Sequence, residues 1–269
     1  MDELPAPVLA HLDRHDPGGV VGIYLYGSAV SGGLRPDSDV DLLVVTRRSL
    51  DSAERTGLVQ VLLDNSGWRG HADRFPDAAS RRPLDVTFLV LGELSPMTAR
   101  PRRDFQYGEW LRDALLGGVL PEPADDPDVA LLLATALHRS RTLEGPRLAE
   151  IVPPVSAEVL RQASLQQVPR LVDEIAEDTR NVLLTLCRIL VTLESGAIVS
   201  KDVAAQAVAS RRSGHERALL HRARAAYLGF AREEPPAAPH AHALAQTLVD
   251  EIIRLGDGTI TAPDSPDLP

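Results

Sequence analysis

The chain has very few cysteines and no long apolar run. Cysteine occurs once, at Cys187, so no internal disulfide can form, which fits a reducing cytoplasm. No apolar stretch is long enough to span a bilayer, and residues 1–16 lack the apolar segment of a signal peptide. We therefore expect a cytoplasmic protein with no membrane partner. Cys187 lies in an apolar helical pattern and is predicted to be a core residue.

Positive charge is also scarce, with 28 Lys and Arg against 38 Asp and Glu and a formal net charge of −10. Proteins that bind nucleic acid need a basic surface to replace phosphate counterions, so the composition disfavours a nucleic-acid partner and a template-dependent polymerase. An acidic surface would attract a polycationic small substrate. Mild acidity that only keeps a protein in solution explains the same charge equally well.

One stretch, Gly22–Val45, carries the clearest chemical signal, with the sequence GIYLYGSAVSGGLRPDSDVDLLVV. An apolar strand ends at Gly27-Ser28, and a second apolar strand carries Asp39 and Asp41. Residues two apart on a strand project from the same face, so the two carboxylates should point together from one strand edge. Paired carboxylates repel unless a cation lies between them, and hard oxygen ligands suit Mg²⁺ bound together with substrate phosphates.

The turn between these strands suits a phosphate. Gly27 permits a tight turn, backbone N–H groups around Gly27-Ser28 can face a phosphate, and the Ser28 hydroxyl adds one donor. A lone Gly-Ser after a strand is usually only a turn, and a lone Asp-x-Asp is often a solvated strand end. The joint pattern at this spacing is more specific and predicts metal-assisted nucleotidyl transfer.

This pattern resembles the signature of the polymerase-beta-like nucleotidyltransferase superfamily. More closely, YLYGSAVSGGLRPDSDVDLLV is similar to the aminoglycoside 3''(9)-adenylyltransferases, the AadA family. The resemblance covers residues 4–255 except 66–83, where this chain is longer. It implies an enzyme that transfers AMP from ATP to a hydroxyl of streptomycin, spectinomycin or both, with Mg²⁺, and so confers antibiotic resistance. Within the motif, Gly27, Ser28 and Ser38 are assigned to nucleotide binding.

A third strand, Leu84–Leu91, begins with the candidate third carboxylate, Asp85. In the resembled family the matching residue is usually Glu and is held to be the base that deprotonates the acceptor hydroxyl. Here the shorter Asp85 either accepts that proton or completes the metal shell with Asp39 and Asp41, and Glu93 is a weaker alternative base. An Asp that merely faces water at a strand edge is the alternative without function.

The segment Arg102–Gly118 is predicted to be a helix that ends at a Gly-Gly stop. Its G-E-W triplet resembles the corresponding segment of the family. The resemblance favours a substrate-lining role for Trp110 over a place in the core. Glu109 either meets a cationic group of the substrate or is a solvated helix residue.

Asp126-Pro127 predicts the start of a helix that runs to about Glu144. Because capping fully explains Asp126, we assign it no catalytic role. The pair Pro153-Pro154 is the candidate interdomain joint.

The predicted fold class is α+β in two domains. A nucleotidyltransferase domain with a mixed β-sheet covers residues 1–153, and an α-helical bundle that binds substrate and ATP covers residues 154–255. Residues 256–269 are rich in Pro and Asp and are predicted to be a disordered tail. We expect the active site in the cleft between the domains of a monomer.

Residues 178–193 combine an apolar helix face with a polar stripe. The sequence DTRNVLLTLCRIL resembles a family block in which the Asp contacts the aminocyclitol and the Asn and Arg serve the nucleotide. IVSKDV and AAYLG are similar to two further segments that contact ATP, although the tyrosine of the second could equally be a helix-end packing residue. The resemblance therefore implies a drug contact at Asp178 and ATP contacts at Asn181, Arg188, Lys201 and Tyr227.

The expected acceptor depends on residues just before this block. Family members that modify both drugs carry a Trp and an acidic residue there. Glu174 matches the acidic residue, but Pro169 or a near neighbour holds the Trp position, and no Trp follows Trp110. This departure keeps a spectinomycin-only enzyme open as the alternative, beside a nucleotide-binding module without transfer activity.

Overall fold

The computed structural model describes residues 6–30, 33–34, 38–231 and 238–257. Apolar spacing predicts that the first helix starts at residue 4, and this start lies outside these ranges, as do residues 258–269 of the disordered tail predicted at 256–269. Gly256 and Asp257 belong to the last helix instead of the tail. The chain forms two compact units, of which the first runs to Ala163 and includes Tyr227–Gly229, and the second comprises Ser164–Ala226 and the chain from Phe230. The predicted boundary at residue 153 stays a prediction, and the predicted α+β fold class is confirmed.

The first unit is organised around a mixed sheet. The strands are β1 (Val20–Tyr26), β2 (Val40–Thr46), β3 (Leu84–Val90), β4 (Arg102–Arg103), β5 (Phe105–Tyr107), β6 (Ala124–Asp125) and β7 (Arg141–Glu144). Five of them form one sheet in the order β5-β3-β2-β1-β7, and β4 pairs with β6 in a separate ribbon. β2 and β3 are parallel, whereas the other pairs are antiparallel.

Helices cover both faces of this sheet. They are α1 (Ala6–His15), α2 (Ser52–Asn65), α3 (Arg112–Leu116), α4 (Pro127–His138) and α5 (Leu148–Ile151). The next helix, α6 (Ala157–Asp173), contains the division between the units. Because side chains alternate across a strand, Leu42 packs with α1 and α2 whereas its neighbour Leu43 packs with α4 and α5. Asp41 and Asp85 share the face of Leu43.

The caps of two of these helices agree with the sequence. Asp51 accepts hydrogen bonds from the first turn of α2, and the Glu54 carboxylate accepts one from the N–H of Asp51, which completes a capping box. Ser156 accepts a 3.2 Å hydrogen bond from the N–H of Val159 at the start of α6. Apolar spacing predicts that this helix ends at residue 168, but α6 continues through Pro169 to Asp173.

The predicted single helix over Arg102–Gly118 is wrong. The segment forms β4, β5, a 3₁₀ turn over Glu109–Leu111 and only then α3. Phe105 and Tyr107 are fully buried on one sheet face, and Gln106 between them projects from the other, which is the alternation of a strand. The Gly-Gly stop is confirmed, because α3 ends at residue 116.

The predicted helix to residue 144 is also wrong in its last part. α4 ends at His138, and Arg141–Glu144 forms β7, which pairs with the edge of β1. This pairing joins residues far apart in the chain, so local apolar spacing gives no sign of it. Gly145 follows with φ +82°, and a Cβ there would lie 2.2 Å from the carbonyl oxygen of Val21.

The second unit is helical in the described residues. It contains α7 (Thr179–Ser195), α8 (Lys201–Ser210), α9 (Gly214–Tyr227, whose last residue groups with the first unit) and α10 (Ala238–Asp257). α7 places its predicted apolar face in the core with α8 and α10. Cys187 is confirmed as a core residue, and burial raises the pKa of its thiol to about 12. No helix in the described ranges is long and apolar enough to cross a membrane.

Candidate active site

Two carboxylates meet at one edge of the central sheet, where β1 ends and the parallel strands β2 and β3 begin. The register pairs Tyr26 with Asp41 and Asp41 with Asp85. Paired residues on neighbouring strands project from the same face, so the side chains of Asp41 and Asp85 are adjacent. Asp39 lies just before β2, two residues from Asp41.

Gly27 lies directly against this carboxylate pair. It has φ +68°, a left-handed conformation that glycine adopts without steric cost. A Cβ on Gly27 would lie 2.0 Å from Oδ2 and 2.8 Å from Cγ of Asp41. Ser28 follows in a 3₁₀ turn, Gly27–Ala29, and is half-buried. The turn therefore brings backbone N–H groups and a hydroxyl beside the carboxylates.

The Asp85 carboxyl is strongly perturbed by its surroundings. Its Oδ1 atom is inaccessible and has no hydrogen-bond partner among the described residues. Burial, followed by the negative charges of Asp41 and Asp39, holds the pKa of the Asp85 carboxyl well above its ordinary value. A carboxylate in such surroundings is suited to receive a proton or a cation.

The donor set at this edge fits a divalent cation. Carboxylate oxygens are the ligands that Mg²⁺ prefers, and a cation would remove the repulsion between Asp41 and Asp85. Among the described residues, Oδ1 of Asp85 has no hydrogen-bond partner. In the part of the chain that the structure describes, no three His, Cys, Asp or Glu side chains already form a metal site. The pair thus fits an ion that takes its remaining ligands from phosphate and water, and the full set of Asp39, Asp41 and Asp85 stays a prediction.

Ser38 and Glu93 are placed differently relative to this edge. Ser38 is buried just before Asp39, and its carbonyl oxygen accepts a 2.9 Å hydrogen bond from Arg82. Glu93 follows the opposite end of β3 from Asp85 and lies 3.8 Å from Arg102. Glu93 is therefore too far along the strand to share a proton with the groups around Asp85.

Sequence reasoning missed a polar group beside Asp85. Gln106 projects from the same sheet face and lowers the pKa of the Asp85 carboxyl, against the larger effects of burial and of Asp41 and Asp39. Its Oε1 accepts from Nη1 of Arg103, which also donates to Oδ2 of Asp126 at 2.5 Å. Reading residues 105–107 as a strand would have placed Gln106 on the face of Asp85.

Trp110 is not a core residue, because 59% of its surface is exposed. Its indole lies over Gly108, where a Cβ would come within 2.2 Å of the ring. Gly108 has an extended backbone and follows β5, so the alternation of the strand continues through it. The ring therefore lies on the sheet face of Gln106 and Asp85, and the substrate-lining role stays a prediction.

Glu109 matches neither of the roles considered for it from the sequence. It is buried in an ion pair with Arg112 at 2.8 Å, and it accepts hydrogen bonds from the hydroxyls of Ser66 and Tyr107 at 2.6 and 3.0 Å. Burial alone would raise the pKa of Glu109, but the hydrogen bonds from Arg112 and Ser66 outweigh it and lower this pKa. The network anchors the turn that carries Trp110.

In the second unit, the structure brings together two of the predicted nucleotide ligands. Nζ of Lys201 donates a hydrogen bond to Oδ1 of Asn181. Asp178 is the N-cap of α7 and accepts a 3.1 Å hydrogen bond from the N–H of Asn181. Arg188 lies two turns further along α7 and is half-buried.

Three other residues singled out in the helical segments have defined positions in the structure. Tyr227 is the last residue of α9 and is half-buried. Glu174 forms a 3.7 Å ion pair with Arg170, one turn earlier. Ser200 occupies the predicted cap position of α8, but its hydroxyl donates to the Asp202 carboxylate instead of accepting from the backbone.

A mixed sheet with a Gly-Ser turn and adjacent carboxylates at one edge is the architecture of a nucleotidyltransferase. Comparison with known proteins agrees, since residues 8–72 match the nucleotidyltransferase domain model. Residues 150–252 match the model of the C-terminal domain of aminoglycoside adenylyltransferase.

Individual relatives give the same result. Spectinomycin 9-adenylyltransferase of Staphylococcus aureus is 44% identical over 187 residues, which cover 70% of this chain and 70% of that protein. Aminoglycoside (3'') (9) adenylyltransferase of Escherichia coli is 35% identical over 259 residues, or 94% of this chain and 92% of that protein. A crystal structure of spectinomycin adenyltransferase from Enterococcus faecalis with ATP and spectinomycin superposes with a TM-score of 0.84 at 28% identity, over 92% and 97% of the two chains. The chain belongs to the aminoglycoside adenylyltransferase family.

Proposed function

We propose that this protein transfers AMP from ATP to a hydroxyl of spectinomycin. The hydroxyl oxygen bonds to the α-phosphorus, pyrophosphate leaves, and the hydroxyl proton passes to a carboxylate of the enzyme. The adjacent carboxylates of Asp41 and Asp85 beside the Gly27-Ser28 turn carry this proposal. The family membership supports it, because the relatives are named for this reaction.

The groups at the sheet edge have separate roles in binding phosphate and metal. Backbone N–H groups at Gly27-Ser28 and the Ser28 hydroxyl bind phosphate oxygens. Mg²⁺ held by Asp39 and Asp41 would neutralise the charge that develops on the leaving pyrophosphate. Ser38 supports this edge from its buried position before Asp39.

Asp85 receives the proton of the attacking hydroxyl. A general base works best when its pKa is near the operating pH, and the surroundings of Asp85 move its pKa in that direction. Oδ1, which has no partner in the described residues, is the atom that accepts the proton. The shorter side chain, compared with the Glu usual in the family, requires the acceptor hydroxyl to come closer to β3.

Residues of the second unit and of the Trp110 turn bind the two substrates. Asp178 attracts the cationic aminocyclitol, and the exposed indole of Trp110 contacts its apolar ring face. ATP is bound by the pair formed by Asn181 and Lys201, with Arg188 and Tyr227 as the remaining contacts.

Residues before α7 favour spectinomycin over streptomycin. The position expected to carry a Trp in dual-specificity members falls at or near Pro169, which is exposed on α6. The acidic partner expected there, Glu174, is already paired with Arg170. A dual-specificity enzyme is the second candidate, favoured by the extended match to the relative from Escherichia coli.

A transfer assay with both drugs tests the proposal. Purified protein is given ATP, Mg²⁺ and either drug, pyrophosphate release is followed, and the adenylylated drug is identified by mass spectrometry. We expect release with spectinomycin alone, and none from a D41N variant that still folds. Release with both drugs would indicate dual specificity. ATP binding without release with either drug would refute the proposal and indicate a binding module.

A further inference from the structure

We propose that Gln106 is a positioning residue for Asp85 and that Arg103 and Asp126 fix the orientation of its amide. The inference rests on the proposed function, in which Asp85 accepts the proton of the acceptor hydroxyl. It adds to that function three residues from β4, β5 and the start of α4 that no sequence motif marks.

The sheet register places Gln106 within reach of Asp85. Gln106 pairs with Thr87 on the neighbouring strand, so it projects from the same face as Asp85, two residues away along β3. Such diagonal neighbours are about 7 Å apart at their backbones, a gap that a long side chain spans. The Gln106 side chain is long enough to do so, and we infer that its amide hydrogen-bonds to the Asp85 carboxylate, since Gln106 lowers the pKa of this carboxyl against the larger effect of burial.

Arg103 determines which end of the amide faces Asp85. Oε1 of Gln106 accepts a hydrogen bond from Nη1 of Arg103. Because a guanidinium can only donate, the carbonyl end of the amide must face Arg103. The remaining NH₂ end is therefore the one that donates to the carboxylate of Asp85.

Asp126 in turn holds Arg103. Its Oδ1 accepts a 2.9 Å hydrogen bond from the N–H of Asp128 and caps α4. Its Oδ2 accepts a 2.5 Å hydrogen bond from Arg103, and both side chains of this pair are largely buried. Capping therefore accounts for only one oxygen of Asp126.

The resulting chain of hydrogen bonds has a defined direction, since Arg103 donates to both Asp126 and Gln106, and Gln106 donates to Asp85. Its effect is to stop rotation of the Asp85 carboxylate while Oδ1 keeps no partner. Partners of this kind orient the groups that perform the chemistry and commonly contribute more to turnover than to substrate binding.

The first test replaces the amide with an isosteric apolar side chain. Q106L should lower kcat roughly 10- to 100-fold and leave KM for ATP and for spectinomycin within about twofold. Q106E should lower kcat at least as much, because it keeps the acceptor for Arg103 but presents a negative charge to Asp85. The matched control is Q60L on the exposed face of α2, with kcat unchanged.

The second test separates orientation from helix capping. D126N keeps a good N-cap residue but removes the charge that holds Arg103, so kcat should fall by about two- to tenfold with the melting temperature nearly unchanged. In the Q106L background, D126N should cause no further loss of kcat, because the chain of hydrogen bonds to Asp85 is already interrupted.

Three results would overturn the inference. They are an unchanged kcat in Q106L, a raised KM with unchanged kcat, and independent effects of Q106L and D126N that multiply in the double variant. The wild-type control distinguishes this failure from failure of the proposed function. An inactive wild-type protein refutes both, whereas an active wild type with an equally active Q106L refutes the inference alone.

Discussion

Substitution of Gly27 by alanine tests whether the turn and the carboxylate pair act as one unit. Two separate effects are expected at this position. The backbone has φ +68°, where an L-residue with a Cβ costs about 1–2 kcal/mol. In addition, the new Cβ would lie 2.0 Å from Oδ2 of Asp41, so the carboxylate must rotate away.

Gly196 offers a matched control for the first effect. It has the same φ of +68°, and a Cβ there would meet nothing within 4 Å. G196A therefore carries the backbone strain without the collision. Each variant should lose about 1–2 kcal/mol of unfolding free energy, and only G27A should move a carboxylate of the candidate active site.

The assays are thermal unfolding and steady-state AMP transfer. Misplacement of a reacting group by about 1 Å can cost about 100-fold in rate, so we expect G27A to lose 100-fold or more in kcat. G196A should keep full activity, since Gly196 follows the C-terminal end of α7 and has no role in the proposed reaction. Full activity in a folded G27A protein, or equal activity losses in both variants, would refute the reasoning.

Two further substitutions test the buried acids. D85N should abolish transfer yet stabilise the metal-free protein by about 1 kcal/mol, read as a rise of about 2–4 °C in melting temperature in EDTA. Because the pKa of Asp85 is raised in the folded protein, the gain in stability should be small at acidic pH and should grow as the pH rises through and above the ordinary pKa of Asp. D77N, at an exposed position, is the control. Stability equal to or below wild type at neutral pH would contradict it. E109A should lower the free energy of unfolding, measured by urea titration, by about 3–5 kcal/mol, because it leaves the buried charge of Arg112 unpaired. R74A, which breaks an exposed ion pair, should lower the same free energy by less than about 1 kcal/mol. Similar costs for E109A and R74A would show that the buried pair contributes no more than a surface one.

The part of the site that sequence predicted follows from alternation along strands. The spacing of Asp39 and Asp41 predicts that both project from one strand face, and the family resemblance added Asp85. The register that pairs Asp41 with Asp85 became visible only in the structure. Gly27 was predicted to form a tight turn, but its close approach to Asp41 depends on how β1 and β2 pair and became visible only in the structure.

The residues whose roles the sequence did not reveal make contacts with residues that are distant in the sequence or hidden by a local explanation. Only three residues of β5 alternate, too few to outweigh the helix formers around them, so Gln106 was assigned to a helix. Glu109 looked like a solvated residue because its partner Ser66 is 43 positions away. Asp126 satisfied a capping rule with one oxygen, and that local explanation concealed its contact with Arg103.

The pairing of β7 with β1 bears on how the chain folds as it is made. β1 carries the turn at Gly27, yet one of its two neighbouring strands is synthesised more than a hundred residues later. Until Arg141–Glu144 emerges from the ribosome, one edge of β1 presents unpaired backbone groups to other chains. The Gly27-Ser28 turn thus belongs to a sheet that closes late. A fragment ending at His138 would retain Asp39, Asp41 and Asp85 but keep that edge open, and it should aggregate where the longer chain folds.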